Sequence, residues 1–452
     1  METALVKWGS FILSLSLLIV LHEMGHFVPA KAFKTRVSKF YLFFDFLFPV
    51  SGWLKFSLLK FKRGETEYGI GWFPLGGYVQ IEGMVDEQMN TEQLQQPPQP
   101  WEFRSKPAWQ RLIIMAGGIL VNLLVGILIY TMIAWYWGKQ TLPAHQLTYG
   151  ISAGTIARES GLRDGDQIIS LDKEPVQDFN TITKSIILGE AHSMQVLRDG
   201  QQLDIAFSPS LPRELIHAKG QNFIAPRIPA VTGTITAKSI AEKSGLLPGD
   251  KILSVNGIPV TYYHEFQQQL QNTKEKTLQL QVSRKGQSRE IRIPVVADQD
   301  YGISSPNLQS IFTYDVRTYS LSAALAEGTR MGINALSDYI RQIKMMFSGD
   351  IKLSESLGGF GSIASLFPSS WNWLSFWRIT AFLSFILAFM NLLPIPGLDG
   401  GHIMFLLYEM FSGRQPHIKV MEYSQLAGML LIFGLLLYSN GLDILRALKI
   451  TF

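Results

Sequence analysis

The 452-residue chain contains no cysteine. Disulfides, thiolate nucleophiles and thiolate metal sites are therefore excluded, and any zinc has to be held by histidine and carboxylate. Charge is scarce too. Asp, Glu, Lys and Arg make up 17% of the residues, against about 25% in ordinary soluble domains. Hydrophobic residues make up 47%. That balance is too apolar for a soluble chain and too charged for a chain made only of spans. The net charge is +4 and no basic stripe is present, so no nucleic-acid partner is expected. The length suits about three domains. Membrane helices plus at least one water-exposed module are expected.

Four apolar runs, at roughly 9–30, 110–136, 374–394 and 425–445, have the length of spans. The first lacks a strongly charged start and a small-x-small cleavage site. It also carries polar residues where a leader's apolar region runs on, so it reads as a retained helix. Lys31, Lys34, Arg36 and Lys39 follow it. Arg104, Lys106 and Arg111 precede the second run, and Arg414 and Lys419 lie between the third and fourth. These clusters share one side, expected to be the cytoplasm. Both termini and segment 138–370 then lie outside. Trp135, Trp137, Trp371, Trp373 and Trp377 mark the outer interface with the bilayer.

The outer segment repeats itself. Residues 160–176 read SGLRDGDQIISLDKEPV and 244–260 read SGLLPGDKILSVNGIPV. Nine of seventeen positions are identical at an offset of 84 residues, which indicates a duplication. Each copy is followed by two alternating strand patterns joined at Asp199-Gly200 or Lys285-Gly286, as in a tight hairpin. The copies resemble PDZ domains of the bacterial, circularly permuted kind. Such modules can take an extended peptide on a sheet edge; a spacer that binds nothing is the plain alternative. Segment 318–370 has helical periodicity, as an amphipathic helix or linker.

The first apolar run ends in HEMGH. His22 and His26 are four residues apart, so one helical face presents both imidazoles. Glu23 can reach a water held beside them. In this H-E-x-x-H pattern two histidines bind zinc and the glutamate is the general base. About eleven apolar residues precede His22, placing it about 17 Å along a helix and inside the hydrocarbon. A carboxylate there costs on the order of 3 kcal/mol or more. A polar seam between helices or an ion path is the bland alternative. Zinc needs a third ligand. The third run ends NLLPIPGLDGGH, where Asp399 is the acidic residue and His402 a rival. Its prolines and glycines break the helix, which membrane depth tolerates only in a protein-buried or wet setting.

HEMGH in the first span, NLLPIPGLDG at the end of the third and the tandem repeats between them resemble the site-2 protease family of intramembrane zinc metalloproteases. The resemblance covers nearly the whole chain. It implies Zn2+ on His22, His26 and Asp399, Glu23 as catalytic base, and Asn391 as a substrate-positioning group. For Asn391 a capping or interhelical hydrogen bond is the alternative. It further implies that TEYGIGWFPLGGYV, from Thr66 to Val79, is a membrane re-entrant β-hairpin. Tyr68, Gly76 and Gly77 would lie on its substrate-binding edge. The sequence also departs from the family. Its A-G-P-x-x-N reads GGILVN, ending at Asn122, and a later G-G-P reads GGFGSI, with Phe360 in place of proline. The aromatic segment 40–61 has no assigned role.

The expected fold is a polytopic α-helical membrane protein of about four transmembrane helices, with a re-entrant β-hairpin and two tandem PDZ domains on the outer side. The expected divisions are 1–137 (hairpin about 55–82), 138–220, 221–308, 309–370 with amphipathic linker helices, and 371–452. The implied function is hydrolysis of peptide bonds within spans of single-span membrane proteins in a bacterial inner membrane. Anti-sigma factors already trimmed outside and remnant signal peptides are the implied substrates. The repeats would exclude substrates with bulky outer domains, and would be periplasmic, with the active site toward the cytoplasm. A PDZ scaffold that only recruits peptide tails needs neither HEMGH nor Asp399. A transporter needs a charged relay that the spans lack.

Overall fold

Among the described residues of the computed structural model, four helices are long and apolar enough to cross a membrane. The structure describes residues 2–46, 54–74, 76–84, 96–218, 223–272, 277–295, 301–348 and 357–448. The chain divides into two units, one of 1–138 with 318–452 and one of 139–317.

In the first unit, α1 (Glu2–Ala32) is followed by β1 (Val37–Leu42), β2 (Ser57–Arg63), β3 (Thr66–Gly71), β4 (Tyr78–Ile81) and α2 (Ala108–Tyr136). α2 is the hub, touching α1 and helices contributed from the chain's last third. Its approach to α1 depends on two glycines. A Cβ on Gly25 would strike the Gly117 carbonyl, and one on Gly117 would strike the Gly25 carbonyl. Small residues let spans approach this closely. The departure from the family pattern at Gly117 therefore sits at a backbone contact that has no room for an alanine methyl.

The strands form one sheet in the order β2-β3-β1-β4. β1 pairs parallel to β3 and antiparallel to β4. The expected hairpin over 66–79 is thus divided: β1 inserts between its two arms and supplies the backbone partners of both. β2 and β3 form the hairpin instead, turning at Gly64 with φ 64°. Part of the unassigned segment 40–61 is accounted for as β1 and β2; residues 47–53 of it lie outside the described residues.

The second unit carries the repeats. It comprises β5 (Lys139–Thr141), β6 (Ile151–Ala153), α3 (Thr155–Glu159), β7 (Gln167–Leu171), β8 (Glu174–Pro175), α4 (Ile182–Ile187), β9 (Ser193–Arg198), β10 (Gln201–Ala206), α5 (Leu211–His217) and β11 (Ile224–Pro226). α6 (Ile240–Lys243), β12 (Lys251–Val255), β13 (Ile258–Pro259), α7 (Tyr263–Asn272), β14 (Thr277–Arg284), β15 (Gln287–Pro294) and β16 (Asp315–Arg317) follow. The two four-stranded sheets, β10-β9-β7-β8 and β13-β12-β14-β15, have matching topologies. Both expected turns carry positive φ, 49° and 82° at Asp199-Gly200 and 51° and 82° at Lys285-Gly286. β11 pairs with β6, so the first copy's strand pairing runs past the expected division at 220.

The first unit resumes with α8 (Leu321–Phe347), α9 (Phe360–Ser365), α10 (Trp373–Leu392), α11 (Asp399–Ser412) and α12 (Ile418–Ala447). α8 is amphipathic. Ala324, Gly328 and Gly332 are buried, the glycines against Thr131 of α2 and Phe385 of α10. Leu325 and Ile333 are exposed. Within 309–370, residues 349–356 lie outside the described residues. Hydroxyls tie the spans together: Thr380 donates to Ser14 at 2.9 Å, and Ser384 donates to the Asn122 carbonyl at 2.7 Å.

Candidate active site

The helical repeat of α1 sets His22 and His26 on one face, with their rings edge-to-face at 4.9 Å. The third member comes from the far end of the sequence. Pro394, Pro396 and Gly397 (φ 98°) end the run of α10, and the chain restarts as a helix at Asp399. Gln425 of α12 accepts the Gly397 N–H at 3.1 Å and so fixes this loop. Packing is tight here, since a Cβ on Gly428 would strike the Pro396 carbonyl.

Three ligand atoms converge. His22 Nε2 and His26 Nε2 are 3.3 Å apart. Asp399 Oδ2 lies 3.4 Å from the first and 3.3 Å from the second. This is almost an equilateral triangle. Tetrahedral zinc with bonds of about 2.0–2.1 Å holds its ligands about 3.3–3.4 Å apart, so the triangle has the size of one zinc face. Asp399 Oδ2 is buried and makes no hydrogen bond. An orphaned carboxylate oxygen facing two imidazole nitrogens is the donor set a divalent cation requires. The group therefore fits zinc and leaves a fourth position for water.

Neighbouring groups orient the ligands. The Ile114 carbonyl accepts the Nδ1–H of His26 at 2.8 Å, which leaves Nε2 with its lone pair toward the triangle. The Asn122 side-chain amide lies 3.2 Å from His22 Nδ1, and Asn122 Oδ1 has no partner as placed. Turned about its amide, Asn122 accepts the His22 Nδ1–H through that oxygen. Gly118 completes the pocket, since a Cβ there would sit 2.6 Å from His22 Cε1.

Glu23, Asn391 and His402 line the same cavity, which measures about 650 Å³ with its mouth. Val79 of β4 lines this cavity together with Glu23. The groups expected on the hairpin separate. Gly77 stands beside the site, where an added Cβ would lie 3.4 Å from Glu23 Cγ. Gly76 faces the Phe44 ring. Tyr68 lies on β3, two strands away, among Phe27, Phe40 and Phe61. The sheet edge at the metal group is β4, through Val79 and Ile81. Sequence reasoning assigned no role to Asn122 or Gln425. The available signal was an amide inside an apolar helix, which in lipid needs a partner.

Residues 10–435 match the model of Peptidase family M50. A putative zinc metalloprotease of Treponema pallidum is 28% identical over 442 residues, covering 92% of this chain and 93% of the relative. The regulator of sigma-E protease RseP of Escherichia coli is 27% identical over 466 residues, covering 96% and 97%. The Haemophilus influenzae regulator of sigma E protease is 27% identical over 460 residues, covering 97% and 98%. With HEMGH and Asp399 brought together from separate ends of a multi-span unit, the chain belongs to Peptidase family M50 and is a membrane zinc metalloprotease.

Proposed function

We propose that the protein cleaves the transmembrane segments of single-span membrane proteins in a bacterial inner membrane. Anti-sigma factors already trimmed on the outer side and remnant signal peptides are the substrate classes. The observation that carries the reading is the triangle of His22, His26 and Asp399, with its unpartnered carboxylate oxygen.

In this reading His22, His26 and Asp399 hold Zn2+, which when bound polarises the scissile carbonyl and lowers the pKa of water. Glu23 takes the proton of the attacking water and returns it to the leaving amine. Asn391, at the last turn of α10, donates its amide to the substrate carbonyl. A helical substrate shields its own peptide bonds, so it has to unwind first. The outer edge of β4 can take the unwound stretch by strand addition.

The repeats act as periplasmic PDZ modules that exclude substrates with bulky outer domains. Deleting 140–305 should then permit cleavage of an untrimmed substrate, and an untrimmed substrate left intact sinks this part. The central test uses purified protein in detergent, with zinc measured per chain and a single-span substrate added. Cleavage by the unmodified chain, with zinc retained but cleavage lost in Glu23→Gln, is the expected result. Equal cleavage by both overturns the assignment of Glu23, and little zinc in either overturns the metal site.

A further inference from the structure

A second cavity adjoins the metal cavity. It takes in about 850 Å³, open space at its mouth included. Met84, His402 and Gln425 line both cavities, so the two share walls. The second is otherwise walled largely by apolar side chains, among them Phe103, Phe405 and Met421. Its far end holds an ion pair, with Arg111 donating to Glu409 and 9% and 14% of the two side chains exposed.

Two elements lead from the metal group into this space. The first is α11. Asp399, His402, Leu406 and Glu409 follow at spacings of three, four and three residues, which is one helical stripe. Ten residues of helix span about 15 Å. The second is β4. Val79 and Ile81 line the metal cavity, and Met84, just beyond the strand, lines both. A chain added to the β4 edge would continue past Met84 into the second cavity. At about 3.3 Å per extended residue, the 15 Å track accommodates four or five residues.

We infer that this cavity is a substrate subsite for the residues next to the scissile bond, and that it selects a bulky apolar side chain there. The inference rests on the protease reading. The segment it receives lies on the side of the scissile bond that faces Arg104, Lys106, Arg111 and Arg414. A transmembrane segment supplies Leu, Ile, Phe or Met at nearly every position, and Phe103, Phe405 and Met421 are complementary to those side chains. The Arg111–Glu409 pair closes the end of the track, where the substrate's apolar stretch gives way to polar residues.

The absence of cysteine makes the test clean. Met421→Cys and, separately, Ile81→Cys are placed in the Glu23→Gln chain and oxidised with a substrate carrying one cysteine at successive positions. Met421→Cys should cross-link best to positions two to four residues from the scissile bond, all on one side of it. Cross-links confined to Ile81→Cys, or a Met421→Cys yield that is flat across positions, overturn the subsite and leave the protease reading standing. A second arm uses activity with Glu23 intact. Met421→Trp narrows the cavity and should lower cleavage of a substrate with Phe at the cross-linked position about tenfold. It should spare the same substrate with Ala there, with zinc content unchanged. An equal fall for both substrates, or no fall, overturns the selectivity. Failure of the unmodified chain to cleave either substrate sinks the protease reading, and the subsite with it.

Discussion

Three aspartates show two uses of the same group: Asp166 and Asp250 are buried, whereas Asp399 keeps 13% of its side chain exposed. Asp166 and Asp250 occupy equivalent places in the two repeats. Arg198 grips Asp166 with both ends of its fork, at 2.7 Å and 2.7 Å, and the Arg163 N–H adds a bond at 2.8 Å. Arg284 grips Asp250 at 2.7 Å and 2.6 Å, and the Leu247 N–H adds one at 2.9 Å. Both carboxylates are closed by a cation from their own chain. Asp399 has no such cation: its Oδ2 is buried, faces two imidazoles and makes no hydrogen bond. A buried carboxylate that the chain neutralises serves the fold, whereas one that it leaves open is built for a cation from outside.

The comparison breaks most visibly at Asp399. Asp399→Asn keeps the shape and removes the charge. Zinc retention and cleavage should each fall about a hundredfold or more, because a ligand loss exceeds the 10–100-fold effect of a neighbouring group. The metal-free protein should be no less stable than the metal-free parent, since an uncompensated charge has gone. Metal analysis, a cleavage assay and melting in chelator check the three parts. A variant that keeps its zinc would show that Asp399 is as closed as the other two.

Asp250→Ala should do the reverse. It leaves the Arg284 guanidinium, 19% exposed, without its counter-ion. Breaking a buried pair in this way costs about 3–5 kcal/mol, and the remaining exposure favours the lower end. Replacing both partners, Asp250→Leu with Arg284→Met, should cost less than the single change. Hydrogen exchange in β12 and β14 of the full chain reads the loss. Zinc content should stay at the parent value in both variants.

Much of this contrast was legible in the sequence. HEMGH on an apolar run and an acid in a Pro- and Gly-broken span end announce a wet, charged site at membrane depth. The duplicated GD motif, each copy followed by a hairpin, marks Asp166 and Asp250 as parts of a repeating fold. The sheet of the first unit was not legible in this way. VSKFYL, which becomes β1, directly follows a long helix and has no clean alternation, so nothing local says that it inserts between β3 and β4. Tyr68 was placed at the site for the same reason, because a two-stranded hairpin has no interior strand to distance it. Asn122 and Gly118 acquire meaning only when α2 lies against α1. That approach is a tertiary fact, set by Gly25 and Gly117 and by no periodicity.

The smallest expected effect is on pH dependence. Burial by itself pushes the Asp250 carboxyl up, but the Arg284 fork and the Leu247 N–H, helped by Arg289, outweigh it and hold the group below the usual carboxylate value. The fold therefore binds a proton at Asp250 less readily than the unfolded chain does. Its contribution to stability is complete above the unfolded value, about 3.9, and is lost as pH falls through the lower folded value. Hydrogen exchange in β12 and β14, corrected for intrinsic rates, should show the second repeat opening more readily below about pH 4. The Asp250→Leu, Arg284→Met chain lacks the group that titrates, so its profile in the same strands should be flatter. If parent and double variant lose protection in parallel as the pH drops, the acid sensitivity belongs to other carboxylates, and closure by Arg284 is not what distinguishes Asp250 from Asp399.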